Sequence, residues 1–199
     1  MKKTTLQGLL GVVAVSGLLM ATSAQAEITA RGAMLANTCV GCHGTNGVST
    51  GPAIPTIAGI SKAYFSDNMK SYRDGSRPST VMGRLAKAYT DEDIAAMADY
   101  FSAMKYVPQA QSAKADLVAK GQKIHTKYCE KCHSDNGTNP ADDSGYLKGQ
   151  WKAYLQYNMH DFTNGVREAP EKMAKKLKEM EAAEGKDAYA ALVEFYASK

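Results

Sequence analysis

The chain has 199 residues, 44% of them hydrophobic, with 24 Lys and Arg against 20 Asp and Glu and a formal net charge of +4. So near a balance gives no basis for a nucleic-acid partner. Met1-Lys2-Lys3, an apolar run from Leu9 to Ala21 and Ala24-Gln25-Ala26 form the charged start, hydrophobic stretch and cleavage site of an export signal. The run is short of the ~20 residues a membrane-spanning helix needs. Residues 1–26 are therefore expected to be removed, leaving 199 − 26 = 173 residues from Glu27 and a formal charge of 4 − 2 = +2. No later stretch is apolar enough to span a membrane.

A short helical stretch from about Thr29 to Thr38 leads into Cys39-Val40-Gly41-Cys42-His43. Far downstream, Leu117, Gly121, Ile124 and Tyr128 recur at helical spacing and lead into Cys129-Glu130-Lys131-Cys132-His133. Two thiols three positions apart, followed by an imidazole, form the attachment pattern of a c-type haem. Each thiol can add to one vinyl group of the porphyrin, and the histidine then serves as an axial ligand of the iron. Zinc ribbons keep their cysteine pairs about 15–20 residues apart, whereas 86 residues separate Cys42 from Cys129. A disulfide framework leaves both histidines unexplained, and a thioredoxin-like pair needs a βαβ context that is missing. Two covalently bound c-type haems are expected, held by Cys39, Cys42, Cys129 and Cys132, with His43 and His133 on the irons. Covalent haem attachment and an export signal together place the protein in a bacterial periplasm.

The two motifs sit in a tandem duplication. A shift of 90 residues places Gly59 on Gly149, Lys62-Ala63-Tyr64 on Lys152-Ala153-Tyr154, Asn68-Met69 on Asn158-Met159, Tyr72 on Phe162, Gly75 on Gly165 and Arg77 on Arg167. Met82 falls on Met173 at a shift of 91, and Met97–Phe101 resembles Leu192–Tyr196 at a shift of 95. Each copy is of a size at which a bare hydrophobic core is marginal, so an enclosed haem supplies the missing core. The expected organisation is a signal peptide at 1–26, an N-terminal domain at 27–107, a linker at 108–116 and a C-terminal domain at 117–199. The polar, proline-containing stretch Pro108–Ala113 marks the boundary.

Between the motifs, segments 62–73 and 151–163 are expected as helices, with Tyr64, Met69 and Tyr72 matched by Tyr154, Met159 and Phe162. Thr90-Asp91-Glu92-Asp93 reads as a capping box opening a helix that buries Ile94, Met97, Ala98 and Phe101. Asp187 is expected to cap the corresponding last helix. No stretch reads as a strand, so the fold class is all-α.

The second axial position decides the chemistry, because a thioether there favours ferrous iron whereas an open site invites peroxide chemistry. Met82, 39 residues after His43, and Met173, 40 residues after His133, are the candidates. Met180, Met159 and His160 are the rivals in the second copy, and His125 and His160 otherwise read as surface or packing residues. Lys172, Lys175, Lys176 and Lys178 read as a solvated helix face. The loop after the first motif, Gly51-Pro52-Ala53-Ile54-Pro55, resembles that of small cytochromes c, in which a proline carbonyl accepts the ring N–H of the ligand histidine, and the resemblance implies Pro52 as the acceptor for His43. The second copy has Asp142 and Gly145 opposite Pro52 and Pro55, so two different reduction potentials are expected.

Thr80–Lys87, Lys127–His133, Gly149-Gln150-Trp151, Tyr154–Tyr157 and Glu194–Ser198 together resemble the dihaem cytochrome subunit of flavocytochrome c sulfide dehydrogenase. A more distant likeness is to the cytochromes c4. The first resemblance implies cytochrome c-like domains with His43/Met82 and His133/Met173 as axial pairs. It also implies an FAD-containing sulfide dehydrogenase subunit as heterodimeric partner and a soluble cytochrome as electron acceptor. Catalysis on sulfide would belong to the flavoprotein, since this chain lacks a glycine-rich dinucleotide fingerprint. The second resemblance implies a free-standing carrier to a terminal oxidase.

Overall fold

The computed structural model describes residues 29–139 and 144–198; the expected export signal, residues 1–26, lies outside them. The first half contains α1 (Ala30–Asn37), α2 (Val40–His43), α3 (Lys62–Asp74), α4 (Met82–Leu85) and α5 (Asp91–Ser102). The second contains α6 (Ala115–Tyr128), the short turn α7 (Ser134–Gly137), α8 (Lys152–Thr163), α9 (Glu171–Glu184) and α10 (Asp187–Ala197). Among the described residues there is no strand.

The duplication is visible in the packing. In the first half α1 and α3 both pack on α5, and in the second α6 and α8 both pack on α10. One apolar cluster gathers Ala36, Phe65, Met69, Ile94, Met97 and Phe101, with the Phe65 and Phe101 rings stacked at 5.5 Å. The other gathers Ile124, Leu155, Met180, Leu192, Phe195 and Tyr196. Where the copies diverge most, the four-residue α4 is replaced by the 14-residue α9. That added length absorbs the growth of the repeat shift from 90 to 95.

Among the described residues, side-chain capping of helix N-termini is confined to the first half. Thr29 accepts from Gly32 N at 3.0 Å, Ser61 from Tyr64 N at 3.1 Å, and Thr90 and Asp93 form the expected capping box. Asp187 does not cap α10: Lys186 already has helical backbone angles, so the turn begins earlier and Asp187 becomes the first helical residue. There its carboxylate acts on the helix dipole instead. The Asp93 carboxylate is held below the usual range, first by the backbone N–H of Thr90 and then by Arg31 against burial. Its stabilising effect is complete above its unfolded pKa of about 3.9 and is lost as pH falls through its lower folded value. Thr90→Ala is expected to cost about 1 kcal/mol, and Asp93→Asn to flatten the acid limb of stability below about pH 4. Urea melts taken across pH check both.

The halves meet through specific contacts. Tyr106 and Tyr146 stack at 3.8 Å, and the Tyr106 hydroxyl donates to Lys148 O at 2.8 Å. Residues 108–114 form no helix, yet they are tied to the second half: Gln109 N donates to Gly149 O at 2.8 Å and Gln111 Nε2 to Gln150 O at 2.7 Å. None of the described helices is long and apolar enough to cross a membrane.

Candidate functional site

Each cysteine motif is folded into one helical turn. Cys42 N donates to Cys39 O at 3.2 Å and His43 N to the same oxygen at 2.8 Å. Cys132 N and His133 N donate to Cys129 O at 3.1 and 2.9 Å. Residues three and four apart share a helix face, so each turn presents two thiols and an imidazole to the same side. All four cysteines are free thiols. Burial raises the Cys39 pKa against a hydrogen bond from Thr38 and pushes Cys129 up to about 11 against one from Tyr196. Both are therefore neutral at pH 7, and among the described residues no three Cys, His, Asp or Glu side chains gather as a metal-holding cluster.

His43 is buried, and its Nδ1 lies 2.9 Å from the carbonyl oxygen of Pro55. A carbonyl can only accept, so Nδ1 carries the proton and Nε2 keeps its lone pair for a metal. Burial also lowers the His43 pKa against the opposing effect of this bond, which keeps the ring neutral. The expected acceptor, Pro52, is corrected to Pro55. Pro52 is exposed, whereas Pro55 adjoins buried Thr56, which is anchored from two sides.

Met82 opens α4, half-buried against the first apolar cluster together with Cys39, Ile57, Tyr64 and Tyr72. These partly exposed side chains form the rim that a flat apolar group would cover. Met173 lies in the first turn of α9, half-buried and outside the second cluster's packed set. Its rivals are otherwise engaged: Met180 is fully buried in that cluster and Met159 packs against it. His160 is exposed beside Asp161 at 3.7 Å. His125 is buried, with Nδ1 2.7 Å from the Tyr196 hydroxyl and Nε2 paired with the Glu130 carboxylate. Lys172, Lys175, Lys176 and Lys178 are all exposed.

Between the halves lies a polar cluster that the motif search missed, although the repeat contained its signal. Arg77, 8% exposed, donates to Asn68 Oδ1 and, at 3.0 Å, to Asn158 Oδ1. Arg167 donates to the same Asn158 oxygen at 3.2 Å. Arg77 lies over the Tyr72 ring at 4.7 Å and Arg167 over its repeat partner Phe162 at 4.5 Å. Burial opposes the charge on Arg77, but the phenols of Tyr154, Tyr72 and Tyr64 carry its pKa upward. Burial and Arg77 itself press that of Arg167 down. Burial in turn raises Tyr72 to about 12. Among the described residues neither arginine forms an ion pair with a carboxylate. A buried Arg77 and a half-buried Arg167, without anionic partners among the described residues, call for acidic groups of a ligand, and the propionates of haem have that chemistry.

Paired thiols beside a metal-ready imidazole, an apolar rim and anion-seeking arginines define a two-domain c-type cytochrome. Known proteins agree. A cytochrome c family model matches residues 29–105. The cytochrome subunit of sulfide dehydrogenase from Chlorobaculum tepidum is 49% identical over 71 residues, 36% of this chain and 64% of that relative. Cytochrome c4 of Pseudomonas aeruginosa is 30% identical over 171 residues, 81% of this chain and 82% of that one. The structure of reduced cytochrome c4 from Pseudomonas stutzeri superposes with a TM-score of 0.71 at 24% identity, over 86% of this chain and 98% of the other. The chain belongs to the cytochrome c family, among the dihaem electron-transfer proteins that include cytochrome c4.

Proposed function

We propose that this chain is the cytochrome subunit that accepts electrons from an FAD-containing sulfide dehydrogenase subunit and passes them to a soluble cytochrome in the periplasm. The observation that carries the reading is the 49% identity over 71 residues to a cytochrome subunit of sulfide dehydrogenase. In this reading the domains run from 27 to 107 and from 117 to 199, joined by 108–116. Cys39 and Cys42 hold one haem, with His43 and Met82 on its iron; Cys129 and Cys132 hold the other, with His133 and Met173. When bound, each haem supplies one-electron chemistry by cycling its iron between ferric and ferrous states.

The chain's own residues set the terms of that chemistry. Pro55 holds the His43 ring in one tautomer through Nδ1. The rim of Ile57, Tyr64, Tyr72 and Met82 excludes water, which favours the less charged ferrous state. Arg77 and Arg167 would receive the propionates. With Met82 and Met173 as the second ligands, neither haem would keep an open position for peroxide, which argues for electron transfer over peroxide turnover.

A second reading, a free-standing cytochrome c4-like carrier to a terminal oxidase, is favoured by the 30% identity over 171 residues. Purification from the native source separates the two. A tightly bound flavoprotein and haem reduction on adding sulfide are expected. A dihaem protein that elutes alone and stays oxidised with sulfide would leave the carrier reading.

A further inference from the structure

The hydrogen bond that positions His43 does not end at Pro55. The Pro55 carbonyl and the Thr56 N–H belong to one peptide group, and that N–H donates to Gln150 Oε1 at 3.1 Å. Gln150 comes from the other domain. Its Nε2 returns a 2.7 Å bond to Thr56 O, so one side-chain amide grips both polar groups of Thr56's backbone. The grip is dry: Thr56 is 1% exposed and Gln150 3%. Neighbouring contacts hold it in register. Ser49 N and Gln109 Nε2 both donate to Thr56 Oγ1, at 3.1 and 3.3 Å. Trp151 Nε1 donates to Ser49 O at 3.3 Å. The Trp151 ring lies over Gly51, where a Cβ would come within 2.7 Å of it. Gly51 (φ +82°) is thus required by both backbone and space.

We infer that Gln150 is a positioning residue for the first haem: through the Pro55–Thr56 peptide it sets how strongly His43 is hydrogen-bonded, and so lowers that haem's reduction potential from across the domain boundary. An amide whose N–H is engaged by an acceptor becomes polarised, and its carbonyl becomes a better acceptor in turn. A stronger acceptor at Nδ1–H makes the imidazole a more basic ligand, which stabilises ferric over ferrous iron.

Among the described residues the device runs in one direction only. The repeat partner of Gln150 is Ile60, a buried apolar residue with nothing to offer the second domain's loop. The partners of Pro55 and Thr56 are Gly145 and Tyr146, and they meet the first domain through the rings of Tyr64 and Tyr106. The duplicated chain thereby acquires two unequal haem environments, and the first depends on the second domain being docked.

The inference rests on the proposed ligation of the first iron by His43. The test uses the full-length dihaem protein and compares wild type with Gln150→Met, which keeps the volume and removes both bonds. Each haem is followed separately by its haem-methyl proton resonances during a redox titration, and the His43 Nδ1 proton by its shift in the ferrous state. Gln150→Met is expected to favour ferrous iron at the first haem about three- to tenfold, the upper end being about 59 mV for one electron. The second haem should not move, and the Nδ1 proton should shift upfield. Gln150→Glu, whose neutral carboxyl offers the same acceptor and donor, should restore the wild-type potential in its protonated form.

An unmoved first-haem potential and Nδ1 proton in folded Gln150→Met would overturn the inference. If that variant fails to fold, an unshifted potential in Gln150→Glu on ionisation of its carboxyl would do the same. Failure of His43 ligation itself has a different signature: the wild-type first haem would lack a low-spin spectrum and a histidine Nδ1 proton.

Discussion

Replacing Met82 or Met173 by alanine is expected to remove about half of the thioether-to-ferric-iron absorption band, and the double variant to remove all of it, because each methionine serves one haem. Loss of a thioether also lowers the potential of the affected haem, by an expected amount on the order of 0.1 V within the ~0.8 V that axial ligation spans. The structure supplies the contrast that makes the test sharp. Met82 stands at the start of α4 on the rim of the first cluster, and Met173 is half-buried at the start of α9. Met180 fills the second core at 0% exposure. Met180→Leu is therefore expected to keep the full band with a modest loss of stability, below about 1.5 kcal/mol for a volume-conserving swap. A double variant that retains the band would refute both ligand assignments.

The largest effect on folding is expected from Gly121→Ala. Gly121 is where α6 crosses α10, and a Cβ there would lie 2.1 Å from Ala191 O and 2.7 Å from both Ala191 C and Phe195 Cβ. Backbone atoms cannot swing aside as a flexible side chain does, so the helices must separate. Overpacking typically costs about 1–3 kcal/mol, and a clash against backbone belongs at the upper end, a large part of the stability of a small domain. The damage has a specific address: α6 runs into Cys129, and α10 supplies Phe195 and Tyr196 to the same core. Loss of the second haem with retention of the first is the expected outcome, read by haem content and by mass of the covalent adduct. Gly32, at the α1–α5 crossing, faces Ala96 O at 2.6 Å in the same way. Gly32→Ala should reverse the pattern. Both variants binding two haems with unchanged melting would show that the crossings are looser than the geometry requires.

Much of this was legible in the residues. The duplication, the two haem turns and the helices around them follow from local signals: fixed cysteine spacing, apolar residues at helical intervals, and a capping box at Thr90 that forms as written. Errors arose where a local signal competes with a neighbouring turn. Asp187 looks like a cap, but the chain already turns at Lys186. Pro52 looks like the partner of His43, but the buried anchorage of Thr56 brings Pro55 to the ring instead. The arginine cluster was half legible. Asn68 and Arg77 reappear as Asn158 and Arg167 in the repeat, yet only packing shows that all four share one interface.

By itself, then, the sequence determined what is local: where helices form, which thiols and imidazoles share a turn, and that the unit occurs twice. Tertiary structure decided what depends on residues far apart in the chain. It set which carbonyl holds His43, which methionines stay at a rim while others fill a core, and how Gln150 reaches Thr56, 94 positions away. The physical reason is that a helix or a cysteine turn is closed by hydrogen bonds within four residues, whereas the side of a loop that becomes dry is fixed only when the second domain packs against it.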